Sequence, residues 1–231
     1  MSNFLYLDIE TIPAQSPEAH AAIAENVKPP AQMKKAETIA AWEANDKAQA
    51  VKDAIDKTSL DGTYGHVHTI GFALNESKPD CRYLADRYSP EFEASVLREF
   101  FTAADEAGRA NTYPVCVVGH NLIGFDLRFI WQRAIILGVR VPRWFPRDPK
   151  PWGNDAFDTM LAFAGQRGMI GLDRLCRVLN IPGKDDIDGS MVSSLWEAQR
   201  SDDIARYCME DVERTRAVHR HMAVAFGELA A

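Results

Sequence analysis

The chain has 231 residues, enough for one large domain or two small ones, and its 46% hydrophobic and 26% charged residues exclude a fibrous or low-complexity protein. A net charge of −7 excludes a protein that binds nucleic acid through overall positive charge, although a local basic patch would still allow binding. The 4 cysteines lack zinc-like spacing and no apolar run reaches the roughly 18 residues of a membrane span, so we expect a soluble, cytoplasmic protein with reduced thiols.

Strands are predicted where short apolar runs are bounded by turn residues, at 3–10, 66–75, 81–87 and 114–119. A helix is predicted to begin after Ser89, a favourable N-cap, with Pro90 at its first position. Further helices are predicted at 125–137, 157–166, 171–179, 190–199 and 202–226. Strands come first and helices dominate the second half, an order that predicts an α/β sheet with helices packed on it.

The segment 14–60 differs from the rest of the chain, because it is rich in Ala, Lys, Glu and Asp and contains no strand-like run. Pro29 and Pro30 divide it, and the sequence allows two helices. The second helix would have a partial apolar face formed by Ile39, Trp42, Val51 and Ile55. We interpret the segment as a helical insertion between the first and second strands.

Two carboxylates, Asp8 and Glu10, stand at the end of the first predicted strand. Side chains alternate in direction along a strand, so both carboxylates point to the same side. Their charges repel each other unless a cation lies between them, and hard oxygen ligands favour Mg²⁺ or Mn²⁺. Alone, this pair would be better explained as a solvated strand end.

Two further polar motifs follow later in the chain. Residues 119–126 leave the buried strand and enter a helix, at the kind of strand end where α/β sheets place their ligands. Tyr207 and Asp211 are four residues apart and would share one face of a helix. A lone pair of this spacing would be better explained as a surface pair, so the interpretation depends on the motifs taken together.

In order along the chain, Asp-x-Glu, Asn-x-x-x-Phe-Asp and Tyr-x-x-x-Asp resemble the motifs of the DEDD superfamily of 3′–5′ exonucleases, in its tyrosine-containing (DEDDy) branch. Residues 157–160, 171–173 and 180–190 are similar to stand-alone exonucleases related to the proofreading domain of family B DNA polymerases. The similarity covers residues 3–12 and 64–225, which is most of the chain outside the insertion.

The resemblance implies a single exonuclease domain over residues 1–231, with the 14–60 insertion inside it. The implied fold is an RNase-H-like mixed β-sheet flanked by α-helices. The implied cofactors are two divalent metal ions, Mg²⁺ or Mn²⁺. In such a mechanism one ion activates water and the other stabilises the departing 3′-oxygen.

The resemblance also implies a role for each acidic residue. Asp8 would bridge both ions, and Asp126 would serve the second ion. Glu10 and Asp211 would complete the site that holds the nucleophilic water. Tyr207 would orient this water through a hydrogen bond, because a phenol with an ordinary pKa near 10 is a poor base at neutral pH.

Four further residues match family positions that contact the substrate. Ile9 and Thr11 would seat the terminal nucleotide, and Asn121 and Phe125 would contact the substrate strand. Phe125 could instead be a core residue. Asp158 precedes a predicted helix, so a role as its N-cap explains it better than a role in metal binding.

Basic residues are concentrated between residues 128 and 152, where 6 basic side chains accompany one acid. The interleaved aromatic residues are Trp131, Trp144, Phe145 and Trp152. This composition suits a groove that follows the phosphates and stacks the bases of a single strand. The alternative is a solvated helix face followed by a proline-rich loop. If the patch and bound metal supply the affinity, the salt dependence of binding should be shallow.

The predicted function is a metal-dependent 3′–5′ exonuclease that acts on single-stranded DNA and releases 5′-mononucleotides, for proofreading, repair or degradation. A second hypothesis is the same chemistry on RNA. A third is a catalytically inactive nucleic-acid-binding or scaffold module, although such proteins usually lose a metal ligand and none is missing here. The insertion would be a lid over the single strand, a docking surface for a polymerase or another replication or repair protein, or a tolerated surface loop.

Overall fold

The computed structural model describes residues 3–85, 87–109, 115–150, 152–183 and 187–228, and a five-stranded sheet lies at its centre. The strands are β1 Asn3–Ile12, β2 His66–Leu74, β3 Asp80–Tyr83, β4 Val115–Gly119 and β5 Ala156–Asp158. Their order is β3-β2-β1-β4-β5, with β2 antiparallel to β1 and β3, and β4 parallel to β1 and β5. With its flanking helices, this mixed sheet confirms the RNase-H-like fold that was predicted.

Helices surround this sheet. They are α1 Pro17–Asn26, α2 Ala36–Asn45, α3 Lys47–Asp56, α4 Pro90–Arg109, α5 Asp126–Leu137, α6 Thr159–Ala164, α7 Leu172–Val178, α8 Val192–Glu197 and α9 Ser201–Ala225. Short 3₁₀ turns occupy Lys57–Leu60 and Gly189–Met191. Helix α4 begins as predicted, because the Ser89 hydroxyl accepts a 3.1 Å hydrogen bond from the Phe92 amide.

The two faces of β1 are covered by different helices. Leu5, Leu7 and Ile9 are buried in the main core, which also contains apolar side chains of α4 and α5. Tyr6 points the other way and packs with Val212 of α9. Because strand side chains alternate, Asp8 and Glu10 lie on the face that carries Tyr6 and α9. The sequence alternation of β1 therefore directs both carboxylates toward the longest helix.

One strand was not predicted, because residues 157–166 were expected to form a single helix. Phe157 and Asp158 instead belong to β5, which pairs in parallel with β4, and α6 begins only at Thr159. A strand of three residues is too short to show an alternating pattern. Asp158 marks the boundary, since its carboxylate caps α6.

Other element boundaries also differ from expectation. The second helix of the insertion is divided into α2 and α3 at Asp46, and the segment 190–199 begins as a 3₁₀ turn before α8. The strand predicted at 81–87 corresponds to the shorter β3, and residue 86 lies outside the described residues. Residues 114 and 184–186 also lie outside them, so the start of the 114–119 strand and the middle of the 180–190 motif are not described.

The insertion is anchored at the end of β1 by its final turn. The Thr58 hydroxyl accepts a 2.8 Å hydrogen bond from the Ala14 amide, and the Thr11 hydroxyl donates a 2.6 Å bond to the Ser59 carbonyl. Trp42 is buried and anchors α2. The two ends of the insertion therefore meet beside β1, as expected for a segment inserted after this strand.

Among the residues that the structure describes, no helix combines the length and the apolar character needed to cross a membrane. Cys81, Cys116, Cys176 and Cys208 are free thiols, and all except Cys81 are buried.

Candidate active site

Asp8 and Glu10 lie where β1 separates from its parallel neighbour. Strands β1 and β4 pair only between Asn3 and Tyr6 of β1, so the carboxylates follow the last paired residue. On the other side, the register with β2 shifts between Glu10 and Thr11. Both carboxylates are half-buried. They stand at the carboxyl end of a parallel strand pair, where α/β sheets place their ligands.

Asp126 opens α5 and lies beside these carboxylates. Its Oδ1 accepts a 3.1 Å hydrogen bond from the Ile9 amide, which lies between Asp8 and Glu10 in β1. Burial raises the pKa of Asp126 well above its usual value, and the charge of Asp8 raises it further. The carboxylates of Asp126 and Asp8 are therefore close enough to repel each other, and a cation between them would relieve that repulsion.

Asp158 holds the turn that leads to Asp126. Its Oδ1 accepts hydrogen bonds of 3.1 and 3.0 Å from the Asn121 and Met160 amides. Its Oδ2 accepts a 3.0 Å bond from the Ile123 amide. The capping role was predicted from sequence, whereas the bonds to the 121–123 turn were not. A side chain of β5 thus fixes the path of the chain between β4 and α5.

Helix α9 brings Tyr207 and Asp211 to the same edge of the sheet. Both side chains are buried. Burial raises the pKa of Tyr207 above its usual value, and the charges of Asp211 and Glu10 add to this effect. An added Cβ atom at Gly189 would lie 3.7 Å from the Tyr207 hydroxyl, so the 3₁₀ turn passes beside the phenol. Tyr207 therefore remains a hydrogen-bond donor at neutral pH.

The sequence interpretation missed Cys208, which is fully buried next to Tyr207. Its Sγ lies 3.4 Å from both the backbone oxygen and Oδ2 of Asp8. Ligand atoms of Asp8, Glu10 and Cys208 all lie within 4.8 Å of one another. Burial raises the pKa of the Cys208 thiol well above its usual value, with further contributions from Asp8 and Glu10. The thiol therefore supports Asp8 as a weak donor.

Gly71 permits the close approach of α9 to the sheet. It lies opposite Asp8 in the β1–β2 pairing. An added Cβ atom would lie 2.9 Å from Cys208 Sγ and 3.2 Å from a methyl carbon of Val212. Real Cβ atoms essentially never show the first distance, and the second is tighter than most real Cβ contacts. The absence of a side chain on β2 therefore lets α9 bring Tyr207 and Asp211 toward Asp8.

Arg214 is a second residue that the sequence interpretation missed. It lies three residues after Asp211, and its Nη1 donates a 2.9 Å hydrogen bond to Oδ1 of Asp211. Its Nη2 donates a 2.6 Å bond to Oδ1 of Asp173 on α7. The buried Nε atom has no hydrogen-bond partner among the described residues. The i, i+3 spacing from Asp211 was the only signal in the sequence.

The donor set fits a hard divalent cation. Asp8 and Glu10 present carboxylate oxygens within one cluster, and Asp126 is a buried carboxylate held beside Asp8. Mg²⁺ and Mn²⁺ prefer oxygen ligands of this type, whereas a protonated thiol is a poor ligand for them. The carboxylates are therefore the residues that could hold metal, and Cys208 is better suited to support them.

The four predicted substrate contacts differ in their surroundings. The Ile9 side chain is buried in the core, and the Thr11 hydroxyl is bonded to Ser59. Asn121 has a positive φ of 58° in the turn after β4, a conformation that asparagine tolerates better than most residues. Phe125 is half-buried and packs against Phe129, with ring centroids 5.5 Å apart. Asn121 and Phe125 border the acidic cluster through the turn that carries Asp126.

The basic and aromatic side chains between residues 128 and 152 do not form one continuous surface. Arg133 is buried and forms a 2.8 Å ion pair with the fully buried Glu93. Phe145 is also buried, and the Trp144 indole donates a 3.0 Å hydrogen bond to Asp105. The prediction of a continuous groove from this segment is therefore wrong for these residues, which are part of the packed interior and its edge.

Comparisons with known proteins connect this geometry to a family. The family described as "Predicted 3'-5' exonuclease related to the exonuclease domain of PolB" matches residues 60–231. This range includes Asp126, Tyr207 and Asp211, and it begins after Asp8 and Glu10. A search of curated proteins found no significant match.

Among solved structures, 54 chains match. One is the family B DNA polymerase from the hyperthermophilic archaeon Pyrobaculum calidifontis, with 18% sequence identity and a TM-score of 0.58. The match covers 98% of this chain and 25% of the polymerase, so the chain spans about a quarter of that protein. At this identity, the likeness shows the shared fold.

Proposed function

The chain belongs to the family of predicted 3′–5′ exonucleases related to the exonuclease domain of PolB, and from this premise we propose that it removes nucleotides from the 3′ end of single-stranded DNA as 5′-monophosphates. The observation that carries the proposal is the gathering of acidic side chains at one edge of the sheet. Asp8 and Glu10 lie beside Asp126, and the charges of Asp211 and Glu10 act on Tyr207. This arrangement supports assignment to the tyrosine-containing branch of the DEDD superfamily.

We assign metal binding to the carboxylates of Asp8, Glu10, Asp126 and Asp211. When bound, two Mg²⁺ or Mn²⁺ ions would activate the attacking water and neutralise charge on the leaving 3′-oxygen. Asp126 is held toward β1 by the Ile9 amide, and Asp211 is held by Arg214. Each of these two carboxylates therefore keeps its orientation through a partner in the protein.

Tyr207 would donate a hydrogen bond to the attacking water and orient it. The raised pKa of its phenol supports this role, because the hydroxyl keeps its proton and cannot act as the base at neutral pH. The 3₁₀ turn at Gly189 passes beside the hydroxyl and would restrict the positions that a water or substrate can take.

Asn121 and Phe125 would contact the substrate strand, since both lie in or next to the turn that ends at Asp126. Ile9 and Thr11 would act on the terminal nucleotide through the backbone of β1, because the Ile9 side chain is in the core and the Thr11 hydroxyl is bonded to Ser59. We treat residues 1–231 as one exonuclease domain. The free thiols agree with a cytoplasmic location.

The insertion would act as a lid over the substrate or as a docking surface for a polymerase or another replication or repair protein. Its final turn is bonded to Thr11, which directly follows Glu10 in β1, and to Ala14. A cleft of about 540 Å³ separates it from α8, and Gln15, His20 and Trp196 line this cleft. The position beside β1 supports a role near the substrate.

The proposal is tested with end-labelled single strands of DNA and of RNA in Mg²⁺ or Mn²⁺. We expect the wild-type protein to shorten DNA from its 3′ end, and Asp8→Asn or Asp211→Asn to reduce the rate to background with the fold intact. Glu106→Gln, which neutralises an exposed acid of α4, is the matched control and should retain full activity. Full activity of either aspartate variant would contradict the assignment. If the wild-type protein cleaves RNA faster than DNA, RNA becomes the proposed substrate.

A further inference from the structure

A groove of about 280 Å³ lies between α5 and residues 147–149. Six of the residues that line it are Ile123, Leu127, Arg128, Trp131, Gln132 and Arg147. Ile123 belongs to the turn that Asp158 holds, and Leu127 directly follows Asp126. Along the chain, these two lining residues therefore lie within three positions of Asp126, one of the four proposed metal ligands.

The groove carries positive charge that the protein does not neutralise by contact. Arg128 and Arg147 are exposed, and neither forms a hydrogen bond or ion pair within the part of the chain that the structure describes. Asp148 is the acid at the groove, and it forms a 2.7 Å ion pair with Lys150. Arg128 lies close enough to Asp148 for its charge to act on it. Arg98 and Arg220, elsewhere on the surface, are each paired with a glutamate and serve below as the comparison.

One wall of the groove is an aromatic ledge formed by the side chains of Trp131 and Arg147. The Trp131 indole donates a 2.7 Å hydrogen bond to the Pro146 carbonyl, which fixes the ring against the following segment. The Arg147 guanidinium lies 5.9 Å from the centre of the Trp131 ring. A fixed indole with a planar cation above it offers the stacking surface that unpaired bases use in single-strand binding proteins.

The dimensions suit a short length of single strand. Arg128 and Ile135, which also lines the groove, are separated by two turns of α5, or about 10 Å along the helix axis. In a stacked strand, successive nucleotides rise by about 3.4 Å along the helix axis. The length of the groove thus matches the axial rise of two or three stacked nucleotides.

We propose that this groove binds the single strand next to the terminal nucleotide, with Arg128 and Arg147 contacting phosphates and a base stacking on the ledge of Trp131 and Arg147. The inference rests on the proposed function, because it takes a nucleic-acid strand as the substrate of the acidic cluster. It also explains how a chain with a net charge of −7 can bind a polyanion, since the positive charge is local.

The test compares an Arg128→Gln/Arg147→Gln variant with the wild-type protein and with an Arg98→Gln/Arg220→Gln control that has the same net charge. Binding of a fluorescent twelve-residue oligothymidylate is measured by anisotropy without metal, over a series of salt concentrations. We expect the groove variant to bind about tenfold more weakly and its salt slope to fall by about 0.7 for each arginine. The control should match the wild-type protein.

A small substrate separates the groove from the catalytic chemistry. The p-nitrophenyl ester of thymidine 5′-monophosphate carries only one nucleotide and no adjoining strand, so the groove variant should hydrolyse it at the wild-type rate while its KM for the oligonucleotide rises. The groove proposal would be overturned if the groove variant had the same affinity and salt slope as the control. It would also be overturned if the wild-type protein did not bind the oligonucleotide. A wild-type protein that binds the oligonucleotide but hydrolyses neither compound would overturn the proposed function instead.

Discussion

The Ile9 amide donates a 3.1 Å hydrogen bond to Oδ1 of Asp126, although 117 residues separate the two in the chain. The bond crosses the gap that opens where β1 and β4 stop pairing, and it joins the strand of Asp8 and Glu10 to the first turn of α5. The position of Asp126 therefore depends on the backbone of β1 as well as on its own helix.

Replacing Asp126 by Asn should abolish nuclease activity without lowering the stability of the metal-free protein. The amide oxygen of Asn can still accept the Ile9 hydrogen bond, and the neutral side chain removes a charge that burial and Asp8 disfavour. Urea unfolding in the presence of a chelator measures the stability. Asp126→Ala is the matched control and should be less stable, because the Ile9 amide loses its acceptor. A clear loss of stability in the Asn variant would contradict this account.

Asp158 should be needed to hold the active-site turn, although we assign it no metal. Asp158→Ala removes the acceptor of the Asn121 and Ile123 amides together with the cap of α6. We expect a loss of about 2 kcal/mol in the free energy of unfolding and a marked loss of activity.

The conservative variant Asp158→Asn provides the control. Its remaining oxygen can occupy the place of Oδ1, which accepts from Asn121 and from both capping amides of α6. Only the bond from Ile123 would be lost, so stability and activity should lie between those of the wild-type protein and Asp158→Ala. Equal losses in the two variants would argue against a hydrogen-bonding role.

Gly71→Ala should move α9 away from the sheet and reduce activity. The added methyl would meet Cys208 Sγ at 2.9 Å and Val212 at 3.2 Å. Overpacking of this kind costs about 1–3 kcal/mol. Adding Cys208→Ala removes the closest contact, so the double variant should regain part of the stability and of the oligonucleotide cleavage rate. No recovery in the double variant would show that the clash with the thiol is not the cause.

The buried pair of Glu93 and Arg133 should make the fold sensitive to acid. Burial opposes ionisation of Glu93, but hydrogen bonds from His66 and Arg133 outweigh it and hold its pKa below the ordinary value of 4.5. The stabilisation is therefore complete above this ordinary pKa and is lost as the pH falls through the lower pKa of the folded state.

Glu93→Gln tests this pH dependence by urea unfolding from neutral pH to below pH 4.5. At neutral pH the variant should be less stable by about 3–5 kcal/mol, because Arg133 remains buried without its counter-charge. On acidification the variant should lose less stability than the wild-type protein, since it lacks the titrating carboxyl. Parallel pH profiles for the two proteins would refute the assignment.

Local sequence patterns predicted the elements that carry the candidate site. The alternation of β1 places Asp8 and Glu10 on one side, and the four-residue spacing places Tyr207 and Asp211 on one face of α9. The capping role of Asp158 was predicted for the same reason, since a cap acts on the next few residues. The roles of these residues in catalysis remain predictions that the experiments above address.

Only the tertiary structure revealed how these elements are joined. Asp158 bonds to the turn at Asn121, and Arg214 bridges Asp211 to Asp173. Similarly, Arg133 was expected in a basic groove but pairs with Glu93 from another helix. Periodicity and capping follow from backbone geometry over a few residues, so sequence alone determines them. Partners 37 to 41 residues apart depend on the path of the whole chain, which is decided when the sheet and its helices pack together.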